Sequence, residues 1–385
     1  MKTRAFSTLG IVLLFLVFAC SKDSLESSEE LQPELLTAKH KKKDLDWSVE
    51  AEIYDPYSLI SPSAHDELTP IQNGFGFTEG PAVDKHGNVF FTDQPNDRIY
   101  KWSARSGHVS LFLEGTGRAN GMAFDKDGNL IACADLHGEL WKIFPDGTHE
   151  VLIDNYNGKL LNGPNDVWIN PITGGMYITD PIFPRDYWEE GDPRIQPWEP
   201  THSEQAETGK GGHVYYLAPG ASELVRVTTM AEWNDDSWPN GVVGSPDGTK
   251  LYVNQWHYDG TGGVFVFDIN PDGSLSNLQD FVPGLNFCDG MSMDDEGNVY
   301  VSSGGIKVYA PDGENIMNID MPDGATNNVF AGQNNKELFI TSVPFVSSIK
   351  MNVKGVEKFS GRSGHGNGGH HHHGNHRRGR GGRGR

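Results

Sequence analysis

Three cysteines in 385 residues are too few for a disulfide-built domain. Cys20 ends a processing signal, and Cys133 and Cys288 lie in strand-like apolar phrases of separate repeats, so both read as buried free thiols. Long apolar runs are also missing. The run at residues 11–18 falls well short of the roughly 20 residues that a membrane helix needs, so no helical span is expected. Positive charge is scarce, with 31 Lys and Arg against 52 Asp and Glu. Six of those arginines fall within residues 360–385, so the remainder is more acidic still. That balance argues against a nucleic-acid partner and suits a cation-attracting surface. No G-x-S-x-G elbow occurs, and GSPDG at Gly244 reads as a hairpin turn, so no serine nucleophile is expected. What is plentiful is glycine (47) and proline (22), the composition of a turn-rich β protein.

Six related phrases fill the middle of the chain: EGPAVDKHGNVFFTD from Glu79, NGMAFDKDGNLIACAD from Asn120, NDVWINPITGGMYITD from Asn165, NGVVGSPDGTKLYVNQ from Asn240, DGMSMDDEGNVYVSS from Asp289 and NNVFAGQNNKELFITS from Asn327. Each is a strand, a tight turn and a second strand. A further hairpin follows, such as LWKIFPDGTHEVLI or VFVFDINPDGSLSNL, with Asp-Gly between alternating apolar residues. Four strands recurring about every 40 to 50 residues is the period of propeller blades. The expected fold is all-β, a six-bladed β-propeller with four-stranded blades over residues 67–359, and the segment at Pro70-Ile71-Gln72 is expected to supply a closing strand to the last blade. An EF-hand reading of DKDGN and DDEGN fails, because the glutamate at loop position twelve is missing and the flanks alternate as strands.

In five phrases an oxygen-bearing lead residue stands eight positions before the turn residue (Gly87, Gly128, Gly248, Gly297 or Asn335). The third phrase has a longer turn, so its lead is Asn165 by its Pro-Asn match or Asp166 by strict counting. Residues at one register in every blade face each other across a propeller axis. Glu79, Asn120, Asn165, Asn240, Asp289 and Asn327 would thus pool carboxylate and amide oxygens, with no His or Cys. That is hard-ligand chemistry, favouring Ca²⁺ with Mg²⁺ or Mn²⁺ as alternatives; Zn²⁺ more often recruits His or Cys but could substitute.

The phrases FTEGPAVDKHGNVFFTD, LNGPNDVWINPITGGMYITDP, SWPNGVVGSPDGTKLYV and CDGMSMDDEGNVYVSS resemble the senescence-marker-protein (regucalcin)/gluconolactonase/luciferin-regenerating-enzyme family, with the third phrase most similar to bacterial gluconolactonases. The resemblance implies a six-bladed propeller holding one divalent cation through Glu79, Asn240 and Asp289, with Asn165 as a further ligand or substrate contact. Asn120, Asp166 and Asn327 become pocket lining. Members acting on sugar lactones can carry an arginine two residues before the third-phrase asparagine, where this chain has Gly163. The implied activity is a metal-dependent opening of a sugar-acid lactone, a small-molecule substrate, with the cation polarising the carbonyl and Asp289 assisting water attack. Two other readings stand beside it: a calcium-binding propeller that binds without turnover, and an ester or organophosphate hydrolase.

The remaining segments carry their own expectations. Residues 1–19, with Lys2 and Arg4 before the apolar run and Ala19-Cys20 at its end, resemble a bacterial lipoprotein signal. Lipidated Cys20 would then anchor an exported protein at the periplasmic or cell-surface side of a membrane. Residues 20–66 read as a polar tether, and 360–385 as a disordered His-, Gly- and Arg-rich tail. Residues 181–212 interrupt the repeat as a lid-like insertion, from which Arg185 and Tyr187 could close over a ligand together with Trp238.

Overall fold

The computed structural model describes residues 47–64, 67–181, 183, 212–229, 237–257 and 262–356. Expectations for the signal segment, Cys20, most of the insertion with Arg185 and Tyr187, and the C-terminal tail lie outside those residues.

Two strands, β1 (Glu52–Tyr54) and β2 (Thr69–Asn73), precede the first repeat. Blade one is β3 (Thr78–Val83), β4 (Val89–Asp93), β5 (Arg98–Trp102) and β6 (Val109–Glu114). Blade two is β7 (Ala119–Phe124), β8 (Leu130–Ala134), β9 (Glu139–Ile143) and β10 (His149–Ile153). Blade three is β11 (Val167–Ile169), β12 (Met176–Asp180), β13 (His213–Leu217) and β14 (Leu224–Arg226). Blade four is β15 (Ser237–Gly244), β16 (Lys250–His257), β17 (Gly262–Ile269) and β18 (Leu275–Pro283). Blade five is β19 (Met291–Met293), β20 (Val299–Ser302), β21 (Gly305–Tyr309) and β22 (Asn315–Asp320). Blade six contributes β23 (Asn327–Ala331), β24 (Glu337–Thr341) and β25 (Phe345–Lys350). All pairing within the blades is antiparallel, and the fold is a six-bladed β-propeller.

Strand β2 completes blade six, pairing Thr69 with Ser348 and Asn73 with Phe345. The ring is thereby closed by a strand from the start of the chain, as the sequence led us to expect. The inner strands touch in chain order, β3 on β7, β7 on β11, β11 on β15, β15 on β19, β19 on β23 and β23 back on β3. Blade two therefore faces blade five across the axis.

Between each pair of blades lies one wedge of core. Ala82, Phe90 and Ile99 of blade one meet Met122, Ala132 and Trp141 of blade two, and Phe91 and Val89 meet Phe339 and Val329 of blade six. These residues sit at alternate strand positions, the pattern of a sheet buried on both faces. The Asp-Gly pairs between inner strands are turns. Asp84 Oδ1 accepts from the backbone of His86 and Asn88, while Gly87 takes φ +78°, and Asp125 and Asp294 repeat the arrangement. Cys133 and Cys288 are buried free thiols.

One difference concerns the stretch expected to be a tether. Strand β1 adds a fifth strand to blade five, with Glu52 opposite Asp320, and Leu59 and Ile60 are buried. The physical reason is a short alternation: Trp47, Val49, Ala51 and Ile53 all pack against the core between blades five and six. Ser48, Glu50 and Glu52 between those residues mask the period of two.

Candidate metal centre

The six lead residues stand where the chain enters, or lies just before, the innermost strand of each blade. In blades one, two and four the ladder shifts register immediately after the lead, between Glu79 and Ala82, Ala119 and Met122, and Pro239 and Val242. Such a bulge turns the lead side chain out of the sheet's alternation. Five of the six leads are buried, at 4% to 7% exposure for Glu79, Asn120, Asn165, Asn240 and Asn327, while Asp289 is part-buried; Asp166 is 8% exposed. No protein hydrogen bond to the side-chain amides of Asn120, Asn165 or Asn240 is found among the described residues.

Contacts between neighbouring blades run all the way round. Asn327 Nδ2 donates to Glu79 Oε2 at 3.0 Å, joining blade six to blade one. A Cβ on Gly80 would lie 1.9 Å from the Asn120 carbonyl oxygen. The Gly121 amide donates to the Asn165 carbonyl at 2.6 Å. Thr179 Oγ1 donates to the Asn240 carbonyl at 2.6 Å, and Val242 N donates to Asp166 Oδ2 at 3.4 Å. A Cβ on Gly241 would fall 2.4 Å from the Asp289 carbonyl oxygen, and one on Gly290 would fall 1.8 Å from Asn327 Cγ. Glycine after a lead is thus required by the approach of the next blade. At Gly121, Gly241 and Gly290 the backbone has no positive φ, so a turn is not the reason.

Several residues that brace the ring were not singled out by sequence. Asn254, fully buried within β16, donates to the Asp289 carbonyl and accepts from Gly241 N at 3.2 Å. Thr92 donates to the Asn120 carbonyl and Thr341 to that of Asn327. Their signal was legible as a register: hydroxyl or amide residues end the second strand in VFFTD, MYITD, LYVNQ and LFITS. Two sequence-stated lining residues prove to be engaged with protein. Asp166 accepts from Val167 N and Val242 N, and Asn327 accepts from Asn328 N while holding Glu79. Trp238, at the start of β15, sets its ring edge-on to Phe183 with centroids 5.3 Å apart. An arginine does stand two residues before a lead, but in blade two. Arg118 takes φ +50°, and its Nη1 reaches the Pro95 carbonyl at 3.4 Å.

The carboxyl groups of the ring crowd one another. Burial first, then the Asp289 carboxylate, holds the Glu79 carboxyl well above the usual carboxylate range, and Asp166 adds to this. The Gly80 amide and the Asn327 side chain only partly offset it. Cys288, next to Asp289, is pushed up to about 12 by burial and then by that same carboxylate, so it is no nucleophile at neutral pH. Among the described residues no three His, Cys, Asp or Glu side chains form a metal cluster by themselves, so a site here would need amide oxygens as well. Two or three crowded carboxyl groups with amide oxygens and no soft donor fit a hard divalent cation, whose charge would reverse the penalty on Glu79.

A family model described as SMP-30/Gluconolactonase/LRE-like region matches residues 77–344. The chain belongs to that family. Gluconolactonase of Zymomonas mobilis is 30% identical over 309 residues, covering 72% of this chain and 80% of its own length. The solved gluconolactonase of Xanthomonas campestris has 28% identity and a TM-score of 0.63, and covers 79% of this chain and 97% of that one. Regucalcin of Agrobacterium tumefaciens, described as a calcium-binding protein, matches with a TM-score of 0.56 at 16% identity, over 75% of this chain and 95% of its own. That likeness is one of fold.

Proposed function

We propose that this member of the family is a lactonase, a carboxylic-ester hydrolase whose reaction takes place at the ring of lead residues and depends on one divalent cation, Ca²⁺ first among the candidates. The observation that carries the reading is the buried Glu79 carboxyl, crowded by Asp289 and Asp166 and bonded to an amide rather than to a basic side chain. The relatives named gluconolactonase support the reaction class.

Glu79, Asn165, Asn240 and Asp289 would hold the cation through oxygen atoms. When bound, it supplies positive charge to the lactone carbonyl, worth several kcal/mol as the oxyanion develops. Asp289 orients water and accepts its proton on a carboxylate oxygen. A ligated carboxylate is a weak base, which suffices for a lactone because the ester is already activated. The water oxygen bonds to the carbonyl carbon, the ring C–O bond breaks, and the proton passes to the departing ring oxygen, leaving a hydroxy acid. Arg118 is the cationic side chain nearest in sequence to any lead, and would receive the carboxylate or hydroxyls of the ligand.

The test is a pH-indicator assay over a lactone panel, run with added Ca²⁺ and with EDTA. Acid release that EDTA abolishes and Ca²⁺ restores supports the reading. Binding of product acids with no turnover of any lactone would replace it with a calcium-binding propeller, and turnover confined to aryl esters or phosphotriesters would redirect it to those substrates. The membrane anchor is a separate proposal resting on sequence: Cys20→Ser should move the expressed protein from the membrane to the soluble fraction.

A further inference from the structure

The central cavity of the propeller has a second end. It holds about 580 Å³ and runs along the inner strands, from Gly80, Asp166 and Asn327 beside the leads to the turns at residues 125–127 and 172–174. Lys126, Asp127 and Ile172 are exposed, so the turn end opens to solvent. The wall is largely apolar, with Met122, Trp168, Val242, Met291 and Met293 in it. Asp125 and Asp127 stand at the mouth, and Lys126 is the one basic residue among the described lining residues.

The chain's own path leads to that mouth. Blade six takes its outer strand, β2, from the start of the chain, so the residues after β25 are not needed at the rim. They turn inward instead. Met351 N donates to the Lys336 carbonyl at 2.8 Å and Gly355 N to the Asn335 carbonyl at 2.9 Å, at the turn between β23 and β24. Asp295 N donates to the Lys354 carbonyl at 2.8 Å, and Val356 N to the Met293 carbonyl at 3.4 Å, at the turn after β19. The contacts thus pass from the third strand of blade six to the innermost strands. A Cβ on Gly355 would fall 2.1 Å from Phe330 Cβ, so the path is closely held. Val356 packs against the core between blades four and five and itself lines the cavity. Residues 357–385 follow, beginning Glu357-Lys358-Phe359-Ser360-Gly361-Arg362 and carrying seven Lys and Arg against one Glu. Three residues of extended chain span about 10 Å and six about 20 Å, so Phe359 and Arg362 reach the apolar wall and the far side of the mouth. Blade two faces blade five, which places Asp125 and Asp127 opposite the point of entry.

We propose that the turn end of this cavity is a docking site for the chain's own residues 357–362, with the Phe359 ring against the apolar wall and Arg362 beside Asp125 and Asp127. Burial of the ring supplies the main drive, and opposite charge across the mouth sets the direction. The docked segment closes the channel on the side away from the leads, so the ring is reached from one face only. This dock requires no reaction at the ring.

Hydrogen exchange of the full chain, read by mass spectrometry, tests it. Backbone amides of residues 358–362 should exchange about tenfold or more slowly than in a free synthetic peptide of the same sequence, the protection of a contact closed about nine-tenths of the time. Phe359→Ser should restore most of the free rate. So should Asp127→Lys, a change at an exposed side chain whose partner is the equally exposed Lys126, so the fold is left intact. Exchange at the free rate in the intact chain overturns the proposal, as it would if a small molecule filled the cavity instead. Protection that survives both variants places the segment elsewhere and also overturns it. Protection that rises with protein concentration would put the segment in a second copy and refute the intramolecular dock.

Discussion

Asn327 Nδ2 meets Glu79 Oε2 at 3.0 Å, across the seam where the last blade of the propeller closes on the first. The bond does two things. It fixes one oxygen of Glu79, and it ties the rotamer of Asn327, whose Oδ1 is already held by Asn328 N. Asn327→Leu should weaken cation binding about 10- to 100-fold, the usual loss when a partner that orients a ligand is removed. Titration calorimetry with Ca²⁺ measures this, and unchanged affinity in a folded variant would show that Asn327 does not orient the centre.

Glu79 itself makes the opposite prediction for stability. Without a cation its buried carboxyl is disfavoured by burial and by Asp289. Glu79→Gln removes that repulsion and leaves an oxygen for Gly80 N. Metal-free Tm should therefore hold or rise, while the stabilisation by added Ca²⁺, which grows with ligand concentration over Kd, should disappear. A variant that keeps the full Ca²⁺-dependent rise in Tm would remove Glu79 from the ligand set.

The propeller was legible because each blade repeats the same alternation and the same Asp-Gly turn, and six copies average out local noise. The closing strand β2 was legible too. Strand β1 was not, since Ile53 and the three apolar residues leading into it, Trp47, Val49 and Ala51, alternate with Ser48, Glu50 and Glu52 inside a polar stretch. At the site, the register of the leads could be read from spacing alone. What spacing could not give was the division of labour within the ring. Asp166 and Asn327 share the leads' chemistry in sequence, yet in space one binds backbone amides and the other holds Glu79. Nor could sequence explain the glycines. Asn-Gly and Asp-Gly read as turns, whereas Gly121, Gly241 and Gly290 are small because another blade's lead occupies the space.

That packing argument is testable at Gly290. An added methyl would sit 1.8 Å from Asn327 Cγ, with Oδ1 and Nδ2 also closer than any real contact. Gly290→Ala should cost at least about 1–3 kcal/mol in urea unfolding, the range for forcing atoms into a packed site. It should also lower Ca²⁺ affinity, because the displaced side chain is the one that holds Glu79. A variant as stable as the parent would mean that the two blades can separate freely.

His213 sets part of the acid limit of stability. Burial, followed by the charge of Arg226, lowers its pKa from 6.5 to about 3, against the opposing bond from Thr228. The folded protein keeps the ring neutral, so between about pH 6.5 and 3 the unfolded chain binds the extra proton. Stability is then fully present above about pH 6.5 and is lost as the pH falls toward 3, at up to about 1.4 kcal/mol per pH unit. His213→Gln should unfold with a shallower acid dependence than the parent across that window, compared by urea midpoints at pH 7, 6, 5 and 4. Parallel curves would assign the acid limit to the carboxylates alone.

Arg118 offers the cleanest separation of binding from chemistry. Its backbone is anchored, with the amide donating to Asp97 Oδ1 at 2.7 Å, so a change at the end of the side chain leaves the loop's path intact. Charge-assisted hydrogen bonds contribute about 1.5–3 kcal/mol, so Arg118→Met should raise KM for a hydroxylated sugar lactone about 10- to 100-fold. The same change should matter far less for an unsubstituted lactone, which offers no hydroxyls to the guanidinium. Because Arg118 is proposed to hold the ligand's hydroxyls and Asp289 to act on the water, kcat should fall much less than KM rises. If kcat collapsed with KM unchanged, Arg118 would belong with the reacting atoms rather than with ligand binding.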